Sequence, residues 1–115
     1  MSKASTEKGA RGEREWRDKL RAAGFAAERR GHLQRYHRHD LFAAPDVHSA
    51  DLDGLWFEVK NHKSPSLGAW WGQAQRDCGD RRPVVIWKKP GGQWLAVITA
   101  DHLLELLTLT RRDDS

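Results

Sequence analysis

A single cysteine, Cys78, stands in the 115 residues. No disulfide can therefore close within the chain, and neither a CxxC metal pair nor a thiol redox motif is available. Also missing is any apolar run approaching the roughly 20 residues of a membrane span, and nothing near the N-terminus resembles the apolar core of a signal peptide. These absences fit a soluble protein of the reducing cytoplasm with no membrane partner. Internal repeats and long linkers are absent too, so residues 1–115 are expected to form one domain, with short tails at 1–5 and 110–115. Such a domain buries roughly two thirds of the surface its unfolded chain exposes, enough for a modest core. Lys and Arg outnumber Asp and Glu by 20 to 16, a basic excess that suits a partner carrying phosphates.

The hydrophobic period changes several times along the chain. Trp16, Leu20 and Ala23 recur at helical spacing before Gly24, which predicts a helix from about Ser5 to Ala23. "FAAERR" suits a short strand, and the aperiodic, basic stretch "GHLQRYHRHDLFAA" that follows suits a loop. "PDVHS" and "LWFEVKN" are strand-like runs, and Asp53-Gly54 between them predicts a tight hairpin. Leu67, Trp71, Ala74 and Cys78 share one face of a second helix, stopped by Gly79 and open to capping by Ser66. "PVVIWKK" and "QWLAVIT" predict two more strands around "PGG", and "ADHLLELLTL" a last helix. The expected order is αβββαββα, a mixed central sheet flanked by helices.

Alternation along the "LWFEVKN" strand puts Leu55, Phe57 and Val59 on one face, which can be core, and Trp56, Glu58 and Lys60 on the other. A hairpin brings Asp46 beside Glu58 and Lys60. On the first helix Glu13 lies within about 60° of Trp16 and Leu20, whereas Glu15 falls on the opposite side; Glu13 therefore points inward. Two carboxylates about 4 Å apart repel by about 4 kcal/mol at an effective dielectric near 20, so positive charge must sit among them. Lys60 supplies part of it. A divalent cation held by hard oxygen ligands supplies the rest, with Mg²⁺ the natural choice for a sparse set of carboxylates.

"PD" at Pro45-Asp46 and "EVK" at Glu58-Val59-Lys60 resemble the PD-(D/E)xK nuclease superfamily. With "KGARGEREW" at Lys8 to Trp16 and "GF" at Gly24-Phe25, the chain resembles the archaeal and phage-encoded Holliday junction resolvases. That resemblance spans residues 8 to 60 and, more loosely, the αβ pattern to about residue 99. It departs in residues 31–44, a segment longer than the likeness leads one to expect. It implies a restriction-endonuclease-like α/β core and a Mg²⁺-dependent DNA endonuclease, with Mn²⁺ substituting, acting in the cytoplasm, a host's if the protein is phage-encoded. Glu13, Asp46 and Glu58 would be the metal-binding acids, with the Val59 carbonyl a further ligand. Lys60 would position or activate the attacking water. A glutamine at the place of Gln73 reaches the cleft in some relatives, and His62, two residues beyond Lys60 on the same strand face, stands close enough to support the site.

The remaining features have plainer readings beside the functional ones. Arg29, Arg30, Arg35, Tyr36 and Arg38 suit a phosphate-tracking loop with one aromatic platform, or simply a solvated loop. Trp70 and Trp71 suit core packing. His37 and His39 lack the partners of a zinc site and suit structural or DNA-contacting roles. Leu103, Leu104, Leu106, Leu107 and Leu109 surround the last helix, so one side can pack on the sheet while the other meets a second copy of the chain. A branched DNA substrate and a homodimer are the expected partners. A nicking or restriction-like nuclease without preference for branched DNA remains open, as does an inactive basic DNA-binding module.

Overall fold

The computed structural model describes residues 3–30 and 45–113. Helix α1 spans Lys3–Ala22. Strands β1 (Glu28–Arg29) and β2 (Val47–His48) come next, then a short 3₁₀ turn (Ala50–Leu52) and β3 (Leu55–Asn61). Helix α2 (Leu67–Asp77) crosses over to β4 (Arg82–Lys88), and β5 (Trp94–Val97) leads into α3 (Ala100–Asp113). The strands form one mixed sheet in the order β1-β2-β3-β4-β5. Only β3 and β4 run parallel, from Leu55 opposite Arg82 to Asn61 opposite Lys88, and a parallel pair needs a crossover such as α2. Element types and order agree with the sequence, while the ends shift. The helical backbone begins at Lys3 and continues to Asp113, inside the segments read as tails.

Helices on both faces explain why β3 is buried almost end to end. Leu20 of α1 packs with Phe57, Val59, Val84 and Ile86, and Trp16 meets the Phe57 ring edge-on with centroids 5.6 Å apart. On the opposite face Trp56 is buried with Trp70, Ala74, Cys78 and Val85. That second face is thus a core as well, whereas the sequence marked only the first as core. The buried stripe of α2 runs through Trp70 and Ala74, with Trp71 at its border and Leu67 largely exposed. Helix α1 ends in a Schellman arrangement: Phe25 N–H donates to Leu20 C=O and Gly24 N–H to Arg21 C=O, with Gly24 at φ 99°.

Three expectations need correction. The β2–β3 hairpin forms as an antiparallel pair, but Asp53-Gly54 does not close it as a tight two-residue type I′ turn, which requires positive φ at both positions: Asp53 has φ −61°, and Gly54 is not among the positive-φ residues. The connection takes the 3₁₀ turn instead, with Val47 opposite Phe57. Ser66 stands at the N-cap of α2 but makes no side-chain capping bond. Helix α3 does not lay a leucine face on the sheet: its five leucines are 44–59% exposed. It contributes no described residue to either core cluster; its anchors are buried His102 and the Arg82–Glu105 ion pair.

Helix α1 crosses β3 at Gly12, where an added Cβ would lie 2.9 Å from Asn61 Cβ. Asn61 secures the same crossing by donating from Nδ2 to Lys8 C=O at 3.1 Å. Alanine is the better helix former by about 1 kcal/mol, but overpacking against a side-chain root costs about 1–3 kcal/mol. Gly12→Ala is therefore expected to lower the melting temperature by several degrees, and a melt at or above that of the wild type would show that α1 can lift off β3 freely.

Candidate active site

Asp46 is the residue on which the site converges. It directly precedes β2, and its backbone N–H donates to Phe57 C=O while its C=O accepts from Arg30 N–H. Past Phe57, strand β2 no longer pairs with that edge of β3, leaving the Val59 N–H without a strand partner there. The Asp46 side chain fills the gap: Oδ2 accepts from Val59 N–H at 2.9 Å. Oδ1 accepts from Arg30 Nη2 at 3.0 Å. The residue is only 7% exposed. The N–H and C=O of one strand residue point to the same side, so the Val59 carbonyl is directed to the edge on which Asp46 sits.

Glu58 and Lys60 follow on β3. Glu58 is buried, and its Oε1 accepts from Trp56 Nε1 at 2.9 Å. Burial first, and then the negative charge of Asp46, push the Glu58 carboxyl up to about 7, against the Trp56 hydrogen bond and Lys60. Lys60 Nζ lies 4.0 Å from Glu58 Oε2 and 3.5 Å from Gln73 Oε1. Gln73 thus reaches Lys60 from α2. Glu13 approaches from α1, where Arg29 Nε donates to its Oε1 at 3.3 Å. Its carboxyl is also raised, by burial and then by Asp46, against Arg29 and Arg30. Glu15 points elsewhere and pairs with Lys88 at 2.7 Å.

His62 lies just past β3 with its ring 5.3 Å from that of Trp70. Its imidazole is held below its usual range by partial burial, then by Lys8 and Lys60, which puts it on the rim of the same cationic neighbourhood. Arg29 and Arg30 are close to the acids, a contact that sequence reasoning did not assign. Arg35, Tyr36 and Arg38 lie outside the described residues. Trp56 was missed as a site residue, although strand alternation already placed it on the face of Glu58. The arginine contacts had no comparable signal, because they depend on where β1 pairs with β2.

All acidic donors here are carboxylate oxygens, hard ligands that suit Mg²⁺ with several retained waters. Among the described residues no three His, Cys, Asp or Glu groups stand together as a ready-made cage. Glu13 and Glu58 are linked instead through Asp46, whose charge acts on both. Such a set fits a sparsely ligated cation. A separate cavity of about 320 Å³ at the start of β4 is lined by Arg81, Arg82, Asp101, His102 and Glu105. Its two arginines already pair with Asp53 and Glu105.

The fold is that of the PD-(D/E)xK-type nuclease core found in Holliday junction resolvases. The chain belongs to the family of protein D14 of Escherichia phage T5, with which it is 32% identical over an alignment of 129 residues covering 93% of this chain and 79% of that protein. The solved structure of Hjc, a Holliday junction resolvase from the archaeal hyperthermophile Archaeoglobus fulgidus, is similar with a TM-score of 0.50 and 28% identity, over 79% of this chain and 72% of Hjc. No protein-family model matches.

The raised Glu58 carboxyl makes stability depend on pH. With a folded pKa near 7 against about 4.5 unfolded, the folded state holds the proton longer as pH rises. That contribution is complete below about pH 4.5 and is lost as pH climbs through 7. The loss is on the order of 3 kcal/mol at about 1.4 kcal/mol per pKa unit. Without divalent metal, Glu58→Gln should keep the Trp56 bond and remove this loss, melting above the wild type at pH 8 and converging with it near pH 4.5. Parallel melting curves for the two proteins across that range would contradict the burial of this charge.

Proposed function

We propose that the protein is a Mg²⁺-dependent DNA endonuclease that cuts four-way junctions. The observation that carries this reading is Asp46, fixed by Val59 N–H and electrostatically joined to Glu13 and Glu58, with Lys60 alongside, on a core similar to that of Hjc. A bound Mg²⁺, or Mn²⁺ in its place, would be held by Asp46, Glu58, Glu13 and the Val59 carbonyl, and supplies stabilisation of charge on the phosphoryl oxygens. Lys60 donates to a non-bridging oxygen of the scissile phosphate and lowers the cost of placing hydroxide beside it. Gln73 steadies that amine. Glu13 accepts a hydrogen bond from the attacking water and orients it. Asp46→Asn and Glu58→Gln should each abolish cleavage while retaining junction binding in a gel-shift assay; full cleavage by either in Mg²⁺ would sink the assignment. A panel of four-way, duplex and single-stranded DNA decides among the readings of substrate: equal cutting of duplex makes the protein a general nicking or restriction-like nuclease, and binding without cutting in Mg²⁺ or Mn²⁺ makes it a binding module.

Two opposed strands must be cut to resolve a junction, and one chain offers one set of acids, so we place a second copy across a twofold axis. The exposed leucines of α3 supply the surface. Because they belong to neither core cluster, Leu104→Asp with Leu107→Asp should leave the fold intact. Sedimentation at micromolar concentration is expected to show a dimer that this pair of changes splits, turning paired cuts into single nicks. A monomeric wild type that still makes paired cuts would refute the arrangement.

A further inference from the structure

We propose that Trp56 is a positioning residue that selects the cation: its indole N–H holds Oε1 of Glu58, so the carboxylate presents one oxygen, Oε2, and the site favours a small octahedral ion over Ca²⁺. This role rests on the reading of Glu58 as a metal ligand. Trp56 Nε1 donates to Oε1 at 2.9 Å, and both residues are buried, 3% and 4% exposed. Oε2 is the oxygen on the side of Lys60, 4.0 Å from its Nζ. A cation chelated by both oxygens would share Oε1 with the positive end of the indole N–H, which repels it. Asp46 is committed in the same way, its Oδ2 held by the Val59 N–H at 2.9 Å. In both acids one oxygen is therefore taken by an N–H of the fold. Mg²⁺ and ions of its size accept single carboxylate oxygens and retained waters, whereas Ca²⁺ takes roughly six to eight oxygens and readily uses both of one carboxylate.

Packing sets the direction of the indole. Trp56 lies in the second core among Trp70, Ala74, Cys78 and Val85, and side chains enclosed at such density keep one rotamer. Its main chain is equally fixed, because β3 runs inside the sheet with Trp56 opposite Pro83 of β4. Residues two apart on a strand share a face, so the ring that completes this core also overlies Glu58. Helix α2 supplies Trp70 and Ala74 to the packing, and Gln73, next to Ala74, reaches Lys60 Nζ at 3.5 Å. One layer therefore orients both the acid and the amine of the "EVK" run. Partners of this kind, which touch a ligating carboxylate and not the metal, typically change metal affinity by about 10–100-fold when removed.

Mn²⁺ binding followed by electron paramagnetic resonance, without DNA, tests this role, with Ca²⁺ affinity read from its displacement of Mn²⁺. Trp56→Phe should lose about tenfold in Mn²⁺ affinity while Ca²⁺ affinity stays near the wild-type value, so the preference for Mn²⁺ narrows by about tenfold. General loosening of the core, or a further rise of the Glu58 carboxyl once its hydrogen bond is gone, weakens both cations alike and leaves their ratio where it was. A Mn²⁺ to Ca²⁺ preference equal to or above that of the wild type in folded Trp56→Phe overturns the role. A second readout needs no substitution: in ¹⁵N-indole spectra of the wild type, the Trp56 N–H should keep its hydrogen-bonded shift and slow exchange at saturating Mg²⁺. Its release on Mg²⁺ binding overturns the role even if Trp56→Phe fails to fold. Glu58→Gln separates the two levels: if it binds Mn²⁺ as well as the wild type, the reading of Glu58 as a ligand fails and the role of Trp56 with it. If it loses Mn²⁺ while Trp56→Phe keeps the wild-type preference, the positioning role alone fails.

Discussion

The carboxylate of Asp46 is the constraint on which the site depends. Its main chain joins β1 to β3, accepting from Arg30 and donating to Phe57, and its side chain extends the ladder along β3 by replacing a strand partner at Val59. A polar group buried without partners costs about 1–3 kcal/mol, so these bonds allow a charged side chain to be enclosed at a sheet margin. An acid in the metal-binding role proposed for Asp46 must also be rigid. Here the same bonds that satisfy Asp46 fix its position.

Around that residue the fold arranges approach from two sides. Helix α1 carries Glu13 to one face, drawn close by Gly12 against Asn61, while the α2 face carries Glu58 under Trp56 and Gln73 beside Lys60. The double covering of β3 follows from its parallel pairing with β4, because the crossover helix must lie on one face and α1 occupies the other. Glu58 is consequently buried by the same apolar residues that complete the second core.

Much of this was legible in the sequence. The 3.6-residue period located α1 and its inward Glu13, and strand alternation separated Phe57 and Val59 from Glu58 and Lys60. What escaped were contacts decided by register and by neighbours distant in sequence. Asp53-Gly54 has the composition of a hairpin turn, but the 3₁₀ turn before it takes up the connection. The stripe of α2 was displaced toward Trp70 because its partners, Trp56 and Val85, come from two other strands. The leucines of α3 were read as packing one side on the sheet, and nothing local reveals that so little of that helix touches it. Arg29 and Arg30 carry no mark in the sequence of the carboxylates they meet; pairing of β1 with β2 sets them against Glu13 and Asp46.

Charge balance at the site has a consequence for encounter with a polyanion. Three bare carboxylates would present a local negative field to DNA before any metal arrived. Arg30 lies on Asp46, Arg29 on Glu13, and Glu58 keeps its proton to about pH 7. With Lys60 beside Glu58, the described side chains of the resting cleft carry no net negative charge within a chain of net charge +4, and a polyanion of the proposed kind would meet no electrostatic barrier there. On the proposed reading, docking and cation loading could then occur in either order.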